Sequence, residues 1–195
     1  MTASILVVCT GNICRSPIAE GLLRDALAVR FGERTPEVSS AGTMGWEGST
    51  AMPESIEVAS ELGSDIAGHR ARELRQPLVA GSSLVVTMAG EHRPFMASMG
   101  TNAAGKTFTL KELVRILEHL PSARDVDPEA LGARVAQADA ARRGGFSGNP
   151  HDEDIADPLG MPLTSYRAIA WELDEWVGRM VDGLYGATVD ALEEG

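Results

Sequence analysis

Ser4-Ile5-Leu6-Val7-Val8-Cys9-Thr10-Gly11-Asn12-Ile13-Cys14-Arg15-Ser16-Pro17 runs from a short apolar stretch through a polar loop into an amphipathic segment. Ser4 to Val8 is β-branched at Ile5, Val7 and Val8 and reads as a buried strand. A helix is expected over Pro17 to Phe31, with Ile18, Leu22, Leu23, Ala26 and Leu27 on one face. Ser16 suits its N-cap, Pro17 its first turn and Gly32 its end. A strand feeding a helix through a short loop is half of a βαβ unit. Ligands of open parallel sheets bind beyond the carboxyl ends of the strands, where this loop lies.

The loop's residue types suit an oxyanion. A helix start offers unpaired N–H groups and the positive end of a dipole. Gly11 and Asn12 tolerate the left-handed turns that curl successive N–H groups into a nest. Cys9 stands at the loop's entrance, and the dipoles that hold an anion also stabilise a thiolate. Arg15 returns to the mouth six residues on, with a planar fork that matches two oxygens of a tetrahedral oxyanion. Ser16 can donate a hydroxyl proton to the thiolate. A nucleophile facing a phosphate held in this way describes covalent phosphoryl transfer. The leaving oxygen then needs an acid. His151-Asp-Glu-Asp-Ile-Ala-Asp157-Pro158 crowds four acids whose repulsion favours one keeping its proton. Asp157, on a turn stiffened by Pro158, is the choice, with Asp154 and Asp152 as rivals.

Outside this loop the chain alternates. Strands are expected at Val38–Ala41, Ser83–Met88 and Thr107–Thr109. Helices are expected at Pro53–Leu62, Glu91–Met99, Lys111–Leu120, from Asp127-Pro128 to about Arg142, and over Thr164–Tyr185. His69–Leu74 and Pro77–Ala80 read as short helical pieces, and Gly144–Asp157 as a polar loop with a solvated charge cluster at His151–Asp154. The order gives parallel βαβ units with helices on both faces. At 195 residues this is one domain, residues 1–195, with a candidate helical insertion at about 120–152.

Composition narrows the function. An apolar fraction of 44% supports a full core, and no apolar run approaches the roughly 20 residues of a membrane span. The start of the chain lacks a signal-peptide pattern, so the cytoplasm is the compartment expected. A net charge of −11 argues against nucleic acid and anionic membranes as partners. Two cysteines and four histidines give neither a disulfide framework nor zinc spacing, so no metal or other cofactor is expected.

The string Val7 to Pro17 resembles the signature of the low-molecular-weight protein tyrosine phosphatases. Val38-Ser-Ser-Ala-Gly-Thr43, Gly68-His-Arg-Ala-Arg72 and Asp157-Pro158 before the last helix match the family in the same order. The resemblance implies a three-layer α/β sandwich around a four-stranded parallel sheet, with the phosphate-binding loop after the first strand. It implies Cys9 as nucleophile, Arg15 as phosphate binder and Asp157 as acid, then base. Thr10, Gly11, Asn12, Ile13, Cys14 and Ser16 would line the phosphate. Asn12, Ser40 and His69 would shape the loop, and Cys14 would protect Cys9 as a reversible disulfide. The substrate would be a phosphotyrosine protein and the protein a monomer.

Three features modulate this. Leu159 and Gly160 stand where strongly tyrosine-selective members carry aromatics, leaving Trp46 to supply one pocket wall. Ile13 replaces the Thr of a phosphoarginine-specific branch and favours phosphotyrosine. No cysteine follows Cys14, against the thioredoxin-coupled arsenate reductases. Phosphoarginine phosphatase and arsenate reductase remain the alternatives within the fold, and a non-catalytic phosphate-binding or redox-sensing module the alternative outside catalysis. Taken singly, Cys9 could be buried packing, Cys14 loop packing, Arg15 a surface ion pair, Trp46 core and His69 structural.

Overall fold

The computed structural model describes residues 3–100, 103–123, 127–146, 149 and 151–187. Four parallel strands form one sheet: β1 (Ser4–Cys9), β2 (Glu37–Gly42), β3 (Leu84–Thr87) and β4 (Thr107–Thr109), in the order β2-β1-β3-β4. Between them and after them run α1 (Arg15–Phe31), α2 (Pro53–Glu61), α3 (Gln76–Gly81), α4 (Arg93–Ala97), α5 (Leu110–His119), α6 (Leu131–Arg143) and α7 (Leu163–Tyr185). β1 is apolar on both faces because both faces are covered. Ile5, Val7 and Cys9 belong to the large core formed with α1, α2, α5, α6 and α7. Leu6 and Val8 point the other way, into a smaller core with Val79 of α3 and Met96 of α4.

The chain leaves β1 for β2 on one side and later returns to β3 on the other. β1 and β3 therefore flank the point where strand order reverses, and a crevice opens beyond their carboxyl ends. Val8 pairs with Thr87 and Cys9 with Gly42, so the loop after β1 starts from that crevice.

Several elements differ from the sequence expectation. α1 begins at Arg15, two residues before Pro17, and its N-cap is Cys14 with no side-chain cap bond. Ser16 does not cap it, because its hydroxyl is taken by the loop. His69–Leu74 is not helical. It runs extended past the end of β2, where Gly42 N–H donates to Arg72 O (2.9 Å) and Leu74 N–H to Gly42 O (2.7 Å). The segment expected as one helix over Glu91–Met99 is a 3-10 turn at Gly90–His92 followed by α4. The helix expected from Asp127 starts as a 3-10 turn at Pro128–Ala130 capped by Asp127, and α6 follows. Of the expected 144–157 loop, residues 147, 148 and 150 lie outside the described residues. His151–Asp154 is not merely solvated: Glu153 is buried against Arg93, at 2.7 Å. No helix among the described residues is long and apolar enough to cross a membrane.

Candidate active site

The loop between β1 and α1 is held by its carbonyls. Cys9 O accepts from Thr43 N–H (3.0 Å), Thr10 O from Met44 N–H (2.9 Å), Gly11 O from Trp46 N–H (3.1 Å) and Ile13 O from Met52 N–H (2.8 Å). Asn12 O accepts from His69 Nε2 (2.8 Å). Five successive carbonyls thus face the scaffold, and the alternation of the peptide unit turns N–H groups to the opposite side. Asn12 provides the left-handed kink in this path, with φ +56°. Gly42 lets the loop approach β2: a Cβ there would lie 2.5 Å from Thr10 O and 2.9 Å from Asn12 N.

The Asn12 side chain is the hub beneath the loop. Its Nδ2 donates to Ser16 Oγ (2.9 Å) and Ser40 Oγ (2.7 Å), and its Oδ1 accepts from Arg72 N–H (2.9 Å). Ser40 donates in turn to Glu20 (2.5 Å). Because Ser16 Oγ already accepts from Asn12, its own proton is available to Cys9 Sγ, 2.9 Å away. Asn12 N–H also donates to that sulfur, at 3.3 Å. Two donors at one sulfur suit a thiolate.

Arg15 is 3% exposed and reaches across the mouth. Its Nη1 donates to Ile155 O (3.0 Å) and its Nη2 to Thr10 Oγ1 (3.3 Å) and to the carboxylate of Asp157. Its Nε is buried with no partner among the described residues. Asp157 Oδ1 also accepts from Leu159 N–H at 3.2 Å, which fixes the carboxylate on its turn. The rival acids sit elsewhere. Asp152 is shared by Lys111 (3.0 Å) and Arg115 (2.6 Å), which hold its carboxyl below the usual range, and Asp154 accepts from Gly90 N–H (2.7 Å). The repulsion expected among these acids falls on Glu153, whose carboxyl is raised by burial first and then by the charges of Glu112 and Asp154 against the pull of Arg93.

Cys14 lies buried behind the loop, its sulfur 3.6 Å from Tyr166 Oη of α7. Burial pushes the Cys14 thiol up to about 11, so it stays protonated at neutral pH. Both cysteines are free thiols. Trp46 is half exposed, and its Nε1 would stand 3.7 Å from a Cβ on Gly11, which puts the indole beside the loop. Ile13 is buried beneath Gly11 and offers carbon only.

Some neighbours of the site escape a sequence reading. His92 Nε2 lies 3.2 Å from Thr10 Oγ1, across a separation of 82 residues. Tyr166 meets Cys14 across 152. Gly42 and Arg72 stand inside quoted motifs, but their task is visible only once the loop is seen to press on β2. Among the described residues no cluster of His, Cys, Asp or Glu is arranged to hold a metal ion. A cavity of about 700 Å³ between Leu120, Ala133, Arg134 and Leu184 is lined by no residue of the loop.

A family model described as low molecular weight phosphotyrosine protein phosphatase matches residues 4–129. A protein-arginine-phosphatase of Geobacillus stearothermophilus is 32% identical over 186 residues, covering 94% of this chain and 97% of its own. A probable low molecular weight protein-tyrosine-phosphatase, EpsP, of Ralstonia solanacearum is 40% identical over 115 residues, covering 58% of this chain and 74% of its own. The crystal structure of a low molecular weight protein tyrosine phosphatase from T. tengcongensis has a TM-score of 0.69 at 33% identity, covering 93% of this chain and 99% of that one.

Proposed function

Since the chain belongs to the low molecular weight phosphotyrosine protein phosphatase family, we propose that it hydrolyses phosphotyrosine in proteins through a phosphocysteine intermediate. The observation that carries the reading is the loop itself. Its carbonyls are bonded outward, its N–H groups face the other way, Asn12 N–H and Ser16 Oγ meet the Cys9 sulfur, and Arg15 reaches Thr10 at the start of the loop and Asp157 beyond it. Phosphate oxygens would take the N–H groups, Arg15 Nε and Arg15 Nη2, drawing Nη2 off Asp157. The Cys9 thiolate then attacks phosphorus. The P–S bond forms, the P–O bond to the tyrosine breaks, and Asp157, which takes up a proton from solvent once Nη2 is drawn off it, gives that proton to the departing oxygen. In the second half Asp157 takes a proton from water, the water oxygen attacks phosphorus, and the P–S bond breaks to return the thiolate and inorganic phosphate. Ser16 stabilises the thiolate at the start and the end, while Asn12, Ser40 and His69 keep the loop curled. Trp46 would form one wall for the substrate ring.

A second reading, phosphoarginine, has its own support. The relative matched along nearly the whole chain is named for that activity. Ile13 favours the aryl substrate, since its buried carbon side chain offers a guanidinium no hydrogen bond. On either reading the substrate is a phosphoprotein and the chain works as a cytoplasmic monomer. All 195 residues then form one domain, with α6 as the helix of an insertion at about 120–152.

A panel of phosphotyrosine, phosphoarginine and phosphoserine peptides, read by phosphate release, tests this. Phosphotyrosine should be cleaved best, and Cys9→Ser should release none while still binding vanadate, since the nest is untouched. Turnover by Cys9→Ser at the wild-type rate would exclude the covalent route. Preferred cleavage of phosphoarginine would transfer the reading to the second substrate.

A further inference from the structure

His92 enters the site from the end of β3 and is 3% exposed. In front of its Nε2 lies the Thr10 hydroxyl oxygen, 3.2 Å away, and the same oxygen lies 3.3 Å from Arg15 Nη2. A guanidinium only donates, so this oxygen accepts from Arg15 and needs an acceptor for its own proton. The ring is faced by Arg15 of α1, by Glu91 on its own turn (3.7 Å from Nε2), by Asp154 of the 151–157 segment and by the backbone of Ala89. Burial first, and Arg15 second, hold the imidazole below its ordinary pKa despite the two acids. A ring neutral at neutral pH has one nitrogen that accepts. Nε2, facing the Thr10 hydroxyl, is that acceptor, and the ring proton then lies on Nδ1, which is buried with no partner among the described residues.

We propose that His92 is a positioning residue for the phosphate site: it accepts the Thr10 proton, which fixes the hydroxyl oxygen that steadies Arg15 Nη2 at the mouth of the loop. The chain of donors runs Arg15 to Thr10 to His92. It rests on the reading of Arg15 as the phosphate binder.

Kinetics with an aryl phosphate, inhibition by inorganic phosphate and the melting temperature test it together. His92→Leu should lower kcat/KM and weaken phosphate inhibition by about tenfold, the order of loss for one buried hydroxyl left unpaired. His92→Gln, whose amide oxygen can reach the place of Nε2, should recover most of this. In a Thr10→Val background His92→Leu should cost less than about twofold, because the link is already broken. Equal loss in both backgrounds, or wild-type kinetics in His92→Leu, overturns the role. Nitrogen NMR of the wild-type imidazole adds a test independent of any variant. The proton should sit on Nδ1, and the Nε2 resonance should move when inorganic phosphate is added; a proton on Nε2 overturns the assignment. A wild-type protein that neither turns over aryl phosphate nor binds phosphate would overturn the phosphatase reading, and this inference with it. Normal wild-type activity without the Thr10–His92 coupling would overturn His92 alone.

Discussion

Replacing Asp157 by asparagine keeps the shape of the side chain and removes its proton. On the proposed mechanism the loss should follow the leaving group. Phosphotyrosine turnover should fall by about 10²–10⁴-fold, the usual contribution of general acid catalysis. An activated aryl phosphate, whose phenolate departs unaided, should lose far less, and steady-state rates across a leaving-group series give the slope. A flat response would remove Asp157 from the acid role. Cys14 is a different kind of residue: buried, protonated and facing Tyr166. Mild peroxide should convert Cys9 to a sulfenic acid, which Cys14 can capture as a disulfide. Activity should return with a dithiol in the wild type and return poorly in Cys14→Ser; equal recovery would leave Cys14 as packing. That Cys9 and Arg15 share one loop at the end of β1 is legible in the sequence, because a single string running from strand to helix carries both. His92 is not, because only the β3 crossover brings it to Thr10.

The element that makes the site is the segment from Thr43 to Met52, which supplies four backbone N–H groups to the carbonyls of the loop. It can do so only while the loop presses against the end of β2, and Gly42 sets that distance. Gly42→Ala would put a methyl group 2.5 Å from Thr10 O, so strand and loop must part. Overpacking of this kind costs about 1–3 kcal/mol. Melting temperature should drop by the corresponding few degrees, and phosphate affinity should fall with it; an unchanged affinity would mean that the loop is held by something other than this contact. The strands were readable from apolar β-branched runs and the long helices from their periodicity. His69–Leu74 was not, since its spacing of apolar residues imitates a helical turn. What makes it extended is pairing with Gly42, and with Ser49, whose carbonyl accepts from Ala71 N–H at 2.7 Å. Ser16 is misread for a related reason: a hydroxyl suited to capping a helix is drawn instead to Cys9 and Asn12.

Across the whole molecule, two differently built parts meet over Cys9. Below, the loop is fixed by backbone hydrogen bonds. Above, residues 152–157 are held by buried Ile155, whose N–H donates to Met88 O (2.8 Å), by Gly90 N–H, which donates to Asp154 (2.7 Å), and by charges: Asp152 to Lys111 and Arg115, Glu153 to Arg93, Asp157 to Arg15. Asp152 has its folded pKa depressed by Lys111 and Arg115, so its contribution is present above the ordinary carboxylate value of about 4 and is lost as pH falls below it. Salt acts on the same links, since the Debye length shrinks to about 3 Å at 1 M. The protection factor of the Ile155 amide, its exchange rate corrected for the intrinsic rate at each pH, should therefore fall in acid or in molar salt while those of the Met44 and Trp46 amides hold. A uniform fall would mean that floor and roof open as one. A cradle held by backbone bonds thus lies beneath a cover held largely by charge. On the proposed mechanism Asp157 belongs to that cover, so ionic strength acts on the step that needs its proton while the curl of the loop below stays as it is.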